Sequence, residues 1–401
     1  MNGAKKKVIV VGGGYGGVRA AQGLAKDENL EVLLLDVRPY HYLQTDVYDF
    51  IANKTTITDI SISLVTLFFD SRNRVLFLER KIVAVDTSKQ VVISDSGEEL
   101  YYDYLILAVG SKTFFPSFIE GLREHAHGVK TIQRAFEFKI KFEQAIYKKV
   151  ESEGSCGLNP DFNIVVGGGG LSGVEIAAAM AEYSQRFFAH GGFACGGMNV
   201  YLIEGSNDIL NGLDIYLVKK SRQRLEKLGV KVLSGVRITK VEEECVHLSN
   251  GENINMSFMI WTGGIEANTL ECDAFADKNQ RGQLKTDEFL RVLGYENVFA
   301  VGDCAEIKNN KGEILAPTAM LAEFSADIAV HNICASAKGL ELKPVTFSLP
   351  GILVALGGYY TVGLIYGVKI SGIMAYIIKR VVSDIYKMPL LAKCKKSLVK
   401  S

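Results

Sequence analysis

Two stretches of the chain, VVGGGYGGVR at 10–19 and VVGGGGLSGVE at 165–175, repeat one glycine spacing. In the first, Gly12-x-Gly14-x-x-Gly17 follows the strand-like run KKVIVV and leads into the helical VRAAQGLAK. A second apolar run, EVLLLD, ends in Asp36. Strand, turn, helix, strand and acid, in that order, are what a dinucleotide requires. Gly12 permits the tight turn, Gly14 lets the backbone approach a pyrophosphate, and Gly17 lets the helix lie against the strand. The helix N-terminus then offers unpaired N–H groups and a positive dipole end to the phosphates. Asp36 accepts hydrogen bonds from a ribose diol.

The second cradle repeats the logic. NIVVG is its strand, Gly168-x-Gly170-x-x-Gly173 its turn, VEIAAAMAEYSQRF its helix, and NVYLIE a further strand ending in Glu204. An acid at that place repels a 2′-phosphate, so this site should take NADH in preference to NADPH. Two cradles imply two dinucleotides, most economically a flavin and a nicotinamide that exchange a hydride. The glycines do not decide which cradle holds which.

The elements around these turns belong to a chain of 401 residues, enough for two or three domains. Lys+Arg and Asp+Glu number 45 each, and a chain without a net basic balance is not expected to bind nucleic acid. Hydrophobic residues at 48% and charged residues at 22% suit a folded protein, and many glycines with few prolines suit an α/β one. Cys156, Cys195, Cys245, Cys272, Cys304, Cys334 and Cys394 are scattered with no C-x-x-C pair. A zinc ribbon or thioredoxin-like motif is therefore unsupported, no metal is expected, and dispersed thiols suggest a reducing compartment. The start, MNGAKKK, is basic, but the apolar run after it is too short for a targeting segment and reads as a first strand.

YDYLILAVGS at 102–111 and NVFAVGDCAEI at 297–307 resemble segments of the two-dinucleotide flavoprotein reductases. That resemblance implies FAD on the first cradle, with Gly110, Gly302 and Asp303 closing over it, and NADH on the second, with Gly263 nearby. It implies a discontinuous FAD-binding domain, 1–115 and 280–345, split by an NADH-binding domain at 155–279. A helical connection at 116–154 joins them. The segments VEIAAAMAE, IWTGGIEAN and APTA, with the tail 349–391, resemble the type II NADH:quinone oxidoreductases, which are single-subunit and do not pump protons. By that resemblance Glu175 lies near the flavin–nicotinamide contact. Read from the residue alone, it could equally face solvent in the first helical turn, where an acid suits the dipole. Ala319, Met320, Glu323 and Phe324 fall where many family members line the quinone pocket with two glutamines. Both glutamines are missing here, which leaves a more apolar slot and favours a menaquinone-type acceptor. The alternatives are a sulfide:quinone oxidoreductase, which needs a cysteine pair near the flavin, and an NADH-sensing flavoprotein with another acceptor. Cys304 is expected near the flavin as a small buried filler.

Residues 344–368 carry no charge and are long enough to span a bilayer. Glycines and Pro350 interrupt them, however, and ILVAL and TVGLIY around GGYY predict two strands and a turn. Beyond them, Ile370, Ile373, Met374, Ile377, Ile378, Val381, Val382 and Ile385 recur at helical steps. Lys379, Arg380, Asp384 and Lys387 take the other half, and Lys393, Lys395, Lys396 and Lys400 follow. An apolar stripe with basic flanks predicts that 370–401 lies in an anionic membrane surface. The alternative is an ordinary amphipathic helix packed on its own protein. The expected place is the cytoplasmic side of the inner membrane, peripherally bound; a homodimer is expected without any residue assigned to it.

Overall fold

The computed structural model describes residues 5–69, 74–153, 162–190, 198–268, 270, 275 and 277–399. Cys156, Cys195, Cys272, Lys400 and the glycine-rich loop at 191–197 lie outside the described residues.

The fold is α/β, built on two parallel sheets of the same plan. In the first, the strands run in the order Val298–Ala300, Tyr104–Leu107, Lys6–Val11, Leu30–Asp36, Val75–Glu79. In the second, the order is Val230–Ser234, Met198–Glu204, Phe162–Gly167, Phe258–Trp261. The cradle strands, Lys6–Val11 and Phe162–Gly167, are interior and covered on both faces. Their unbroken apolar runs follow from that, since alternation is needed only where one face meets water. Each lies where the chain turns from adding strands on one side to adding them on the other. Ligands of such sheets bind at that crevice.

The first sheet takes strands from both flanks of the second: Val298–Ala300 returns to pair with Tyr104–Leu107. Within the connection expected at 116–154, the long helix is Ile132–Glu153, preceded by a short one at Leu122–His125. Helix Tyr15–Leu24 packs tightly on helix Ala319–Ser336, where Gly16 and Gly23 face Ala322 and Val330.

The tail differs from expectation in one respect. It forms three antiparallel strands, Gly351–Ala355, Thr361–Ile365 and Val368–Gly372, and the helix starts only at Ile373. Tyr366 and Gly367 both take positive φ, +47° and +80°, and make the two-residue hairpin turn that suits twisted strands. Ile370 is thereby a strand residue, and the helical apolar stripe begins three residues later, at Ile373.

Candidate functional site

The two glycine turns superimpose in their physical logic. Gly12 and Gly168 have φ of +110° and +102°, which favour glycine. A Cβ on Gly17 would overlap the Gly12 carbonyl oxygen, and one on Gly173 would overlap that of Gly168. These glycines are needed by the fold itself. Gly14 and Gly170 are different: a Cβ on either meets nothing within 4 Å. Space is left there that packing does not require, at the N-terminus of a helix with unpaired N–H groups. A pyrophosphate fits that description.

Both acids turn back onto their cradle. Asp36 accepts from the Gly13 N–H with Oδ2 and from the Arg38 N–H, at 2.8 Å, with Oδ1. Burial nevertheless pushes its carboxyl above the usual range. Glu204 accepts from the Gly169 N–H at 2.5 Å and from the Ser206 N–H at 2.7 Å. In each case one oxygen is held by the turn and the other by the following loop. The carboxylate is thus fixed at the cradle mouth, with lone pairs left over for a diol. Gly263 packs directly on Gly168, since a Cβ added to Gly168 would lie 2.8 Å from its backbone.

The Gly-Asp turn sits beside the first cradle. Gly302 donates its N–H to Ser325 Oγ at 3.1 Å, and its φ is +69°. Asp303 Oδ2 accepts from Ser111 Oγ at 2.6 Å and pairs with Lys130 Nζ at 3.1 Å. Gly110, one residue before Ser111, takes φ +69° and has open space. Lys130 was not marked by any spacing in the sequence. Cys304 is buried, with its thiol pushed up to about 11 by desolvation; its Sγ donates to the Leu107 and Val301 carbonyls. That suits a filler better than a nucleophile.

Glu175 does not face solvent. Its Oε1 accepts from the Ala355 N–H at 2.7 Å and makes an ion pair with Lys379 of the C-terminal helix. Nearby, Tyr48 donates to Ser172 Oγ at 2.9 Å. The C-terminal helix makes further ties of this kind. Ser383 and Lys387 reach Asp46 at 3.2 and 3.4 Å. Tyr386 lies 2.9 Å from His41 Nε2, and His41 Nδ1 lies 3.1 Å from the Gly13 carbonyl oxygen. A carbonyl can only accept, so Nδ1 carries the proton and Tyr386 donates to Nε2. Burial holds His41 down to about 4, which keeps it neutral. The YHY run at 40–42 is the only sequence trace of this cluster.

The four quinone-pocket candidates share the first turns of helix Ala319–Ser336. Met320 is exposed, and Phe324 packs on Phe347 with ring centroids 4.7 Å apart. Glu323 is partly buried, and desolvation pushes its carboxyl up to about 7 against the pull of Arg19.

Residues 6–322 match the family described as pyridine nucleotide-disulphide oxidoreductase. Demethylphylloquinone reductase NdbB of Synechocystis sp. is 28% identical over 406 aligned residues, covering 97% of this chain and 94% of that protein. The type II NADH:quinone oxidoreductase of Staphylococcus aureus is 26% identical, with 94% of each chain covered. In fold, the chain resembles NDH2 of Plasmodium falciparum, solved in complex with NADH. The TM-score is 0.84 at 19% identity, over 99% of this chain and 98% of that one.

Proposed function

The chain belongs to the pyridine nucleotide-disulphide oxidoreductase family, and from that premise we propose that it is a flavin-dependent NADH:quinone oxidoreductase of type II. The carrying observation is the pair of like-built cradles with open second glycines, in a chain collinear with a type II enzyme over 94% of its length. We assign FAD to Gly12, Gly14, Gly17, Asp36, Gly110, Gly302 and Asp303. NADH is assigned to Gly168, Gly170, Gly173, Glu204 and Gly263. The FAD-binding part is then 1–115 with 280–345, and the NADH-binding part 155–279. A flavin bound there supplies hydride acceptance and electron donation, which no side chain of the protein can do.

The chain's own residues bind and orient. Each helix N-terminus holds phosphate, and Lys130 and Ser111 set the direction of the Asp303 carboxylate. Glu204 disfavours a 2′-phosphate. Glu175, assigned to the flavin–nicotinamide contact, is tied through Lys379 to the C-terminal helix. At the acceptor side, Ala319, Met320, Glu323 and Phe324 offer an apolar slot with one ionisable acid. This favours a naphthoquinone of menaquinone type, and the name of the Synechocystis relative points toward the same ring class.

The reading places the enzyme on a membrane surface. Among the described residues no helix is long and apolar enough to cross a membrane. The C-terminal helix instead turns Ile373, Met374, Ile377, Val381, Ile385 and Met388 outward while Lys379, Ser383 and Lys387 face the protein. A helix with its apolar side out, Lys379 and Lys387 tied inward and Arg380, Lys393 and Lys395 left exposed is suited to lie on an anionic lipid surface. Attachment to the cytoplasmic face and a homodimeric state complete the proposal.

Anaerobic mixing tests it. The purified protein should be yellow, NADH should bleach the flavin, and a naphthoquinone should restore the colour. Bleaching by sulfide, with no response to NADH, would overturn the assignment.

A further inference from the structure

A hairpin on the far side of the second sheet carries side chains that the proposed reaction does not use. Strand Ile238–Val241 pairs with Cys245–Leu248, which pairs in turn with Asn253–Asn255. Val241, Val246, Leu248 and Ile254 are buried in a core beneath it. Alternation therefore sends Cys245 and His247 to the opposite, outer face. Lys240 stands directly opposite His247 in the register. Glu242, whose N–H donates to the Cys245 carbonyl at 2.8 Å, closes the turn.

On that face the Glu242 carboxylate, the Cys245 thiol and the His247 imidazole converge, with one ligand atom of each within 4.8 Å of the others. His247 Nε2 is 3.2 Å from Glu242 Oε2. It is shut off from solvent and makes no well-formed hydrogen bond. An imidazole nitrogen and a carboxylate oxygen set so close call for a proton or a cation between them. Two tetrahedral zinc ligands of these types sit about 3.3 Å apart, so this pair is already at ligand spacing. Glu242 is also aimed: Lys240 Nζ holds its other oxygen, Oε1, at 2.9 Å, and itself lies 3.6 Å from Glu120. The turn at 242–244 is three glutamates in a row, so the field there favours a cation despite Lys240.

We propose that Glu242, Cys245 and His247 form a site for a borderline-soft divalent cation of the Zn²⁺ class, with water completing the coordination. One thiolate, one imidazole and one carboxylate match that class, and they disfavour Mg²⁺ and Ca²⁺, which want oxygen alone. Binding displaces the Cys245 proton to solvent, and nothing is oxidised or reduced. The site shares no residue with either cradle. It does brace the hairpin where the Val241 N–H donates to the Glu120 carbonyl at 2.8 Å, at the connection between the two sheets.

Titration of the full-length, flavin-loaded protein with Zn²⁺ after chelator treatment tests this. One equivalent should bind and be lost in Cys245→Ser and in His247→Ala, while the visible flavin spectrum stays unchanged. In the unmodified protein, Zn²⁺ should slow alkylation of Cys245, followed by peptide mass spectrometry, about tenfold or more. Mg²⁺ should give no protection. That second readout needs no variant, so a misfolded substitution cannot mask the answer. Equal alkylation of Cys245 with and without Zn²⁺, or full Zn²⁺ uptake by both variants, would overturn the proposal.

Discussion

A methyl group on Gly14 meets nothing within 4 Å, whereas one on Gly17 runs into the Gly12 carbonyl. Gly14→Ala should therefore leave the fold and its thermal midpoint intact and release the flavin, seen as loss of yellow colour. Gly17→Ala should fail earlier, with overpacking that costs roughly 3 kcal/mol and reduces soluble yield. If Gly14→Ala kept its full flavin, the first cradle would be misassigned. Lys379→Met leaves Glu175 buried without its partner, and breaking such a pair costs about 3 kcal/mol. The double variant Glu175→Gln with Lys379→Met should recover most of that loss in chemical denaturation; no recovery would mean the pair is not coupled. Glu323 gives a pH-dependent case. Its carboxyl is raised to about 7 by burial and by Asp327, opposed by Arg19, with Tyr15 and Tyr386 close by. A raised folded value means the folded state prefers the protonated form. The stabilisation is complete in acid and fades as pH rises from the usual carboxylate range through 7. Glu323→Gln should thus raise the thermal midpoint at pH 8 relative to the parent and leave it unchanged at pH 4. An equal shift at both would show that ionisation is not the cause.

The C-terminal helix reverses the usual economy of a surface helix. Its outward apolar residues include Ile373 at 60% exposure and Ile385 at 69%, while Lys379, Ser383, Tyr386 and Lys387 are held by Glu175, Asp46 and His41. Deleting 370–401 would thus remove most of the last strand and three anchors along with the apolar outer side, and would not isolate membrane binding. Paired substitution of Ile377 and Ile385 by aspartate touches only the outer face. It should free the protein from anionic vesicles in a sedimentation assay and slow turnover with long-chain quinones, with bleaching of the flavin by NADH unaltered. Vesicle binding that survived both charges would refute the docking face. High salt should weaken binding of the parent only in part, because screening acts on the basic residues and not on the apolar stripe.

At the scale of the molecule, the first sheet closes only when Val298–Ala300 returns to Tyr104–Leu107 across the whole second sheet. A chain ended before that strand, near residue 290, should yield no flavin-binding protein, as absorbance of the soluble fraction would reveal. What could be read from sequence was short in range. The glycine turns, their strands and the acids Asp36 and Glu204 each depend on neighbours a few dozen residues away, and turn chemistry and periodicity report such neighbours directly. The tail hairpin was legible for two strands, and the third was missed because Ile370 fits a helical period and an alternating strand equally well. Contacts distant in sequence were not legible. Glu175 and Lys379 are 204 residues apart, and His41 and Tyr386 are 345 apart. Glu242, Cys245 and His247 are close in sequence, but that they share one outer face shows only once the register of the hairpin is known. The sequence by itself determined two like-built glycine turns and an amphipathic tail, since these follow from backbone sterics and apolar spacing within single elements. Only the tertiary structure decided that Glu175 is paired and that Lys379 and Lys387 of the tail face inward. It also decided that three ligand-type side chains share one face. Each of these depends on which surfaces pack together, and a one-dimensional pattern does not encode that.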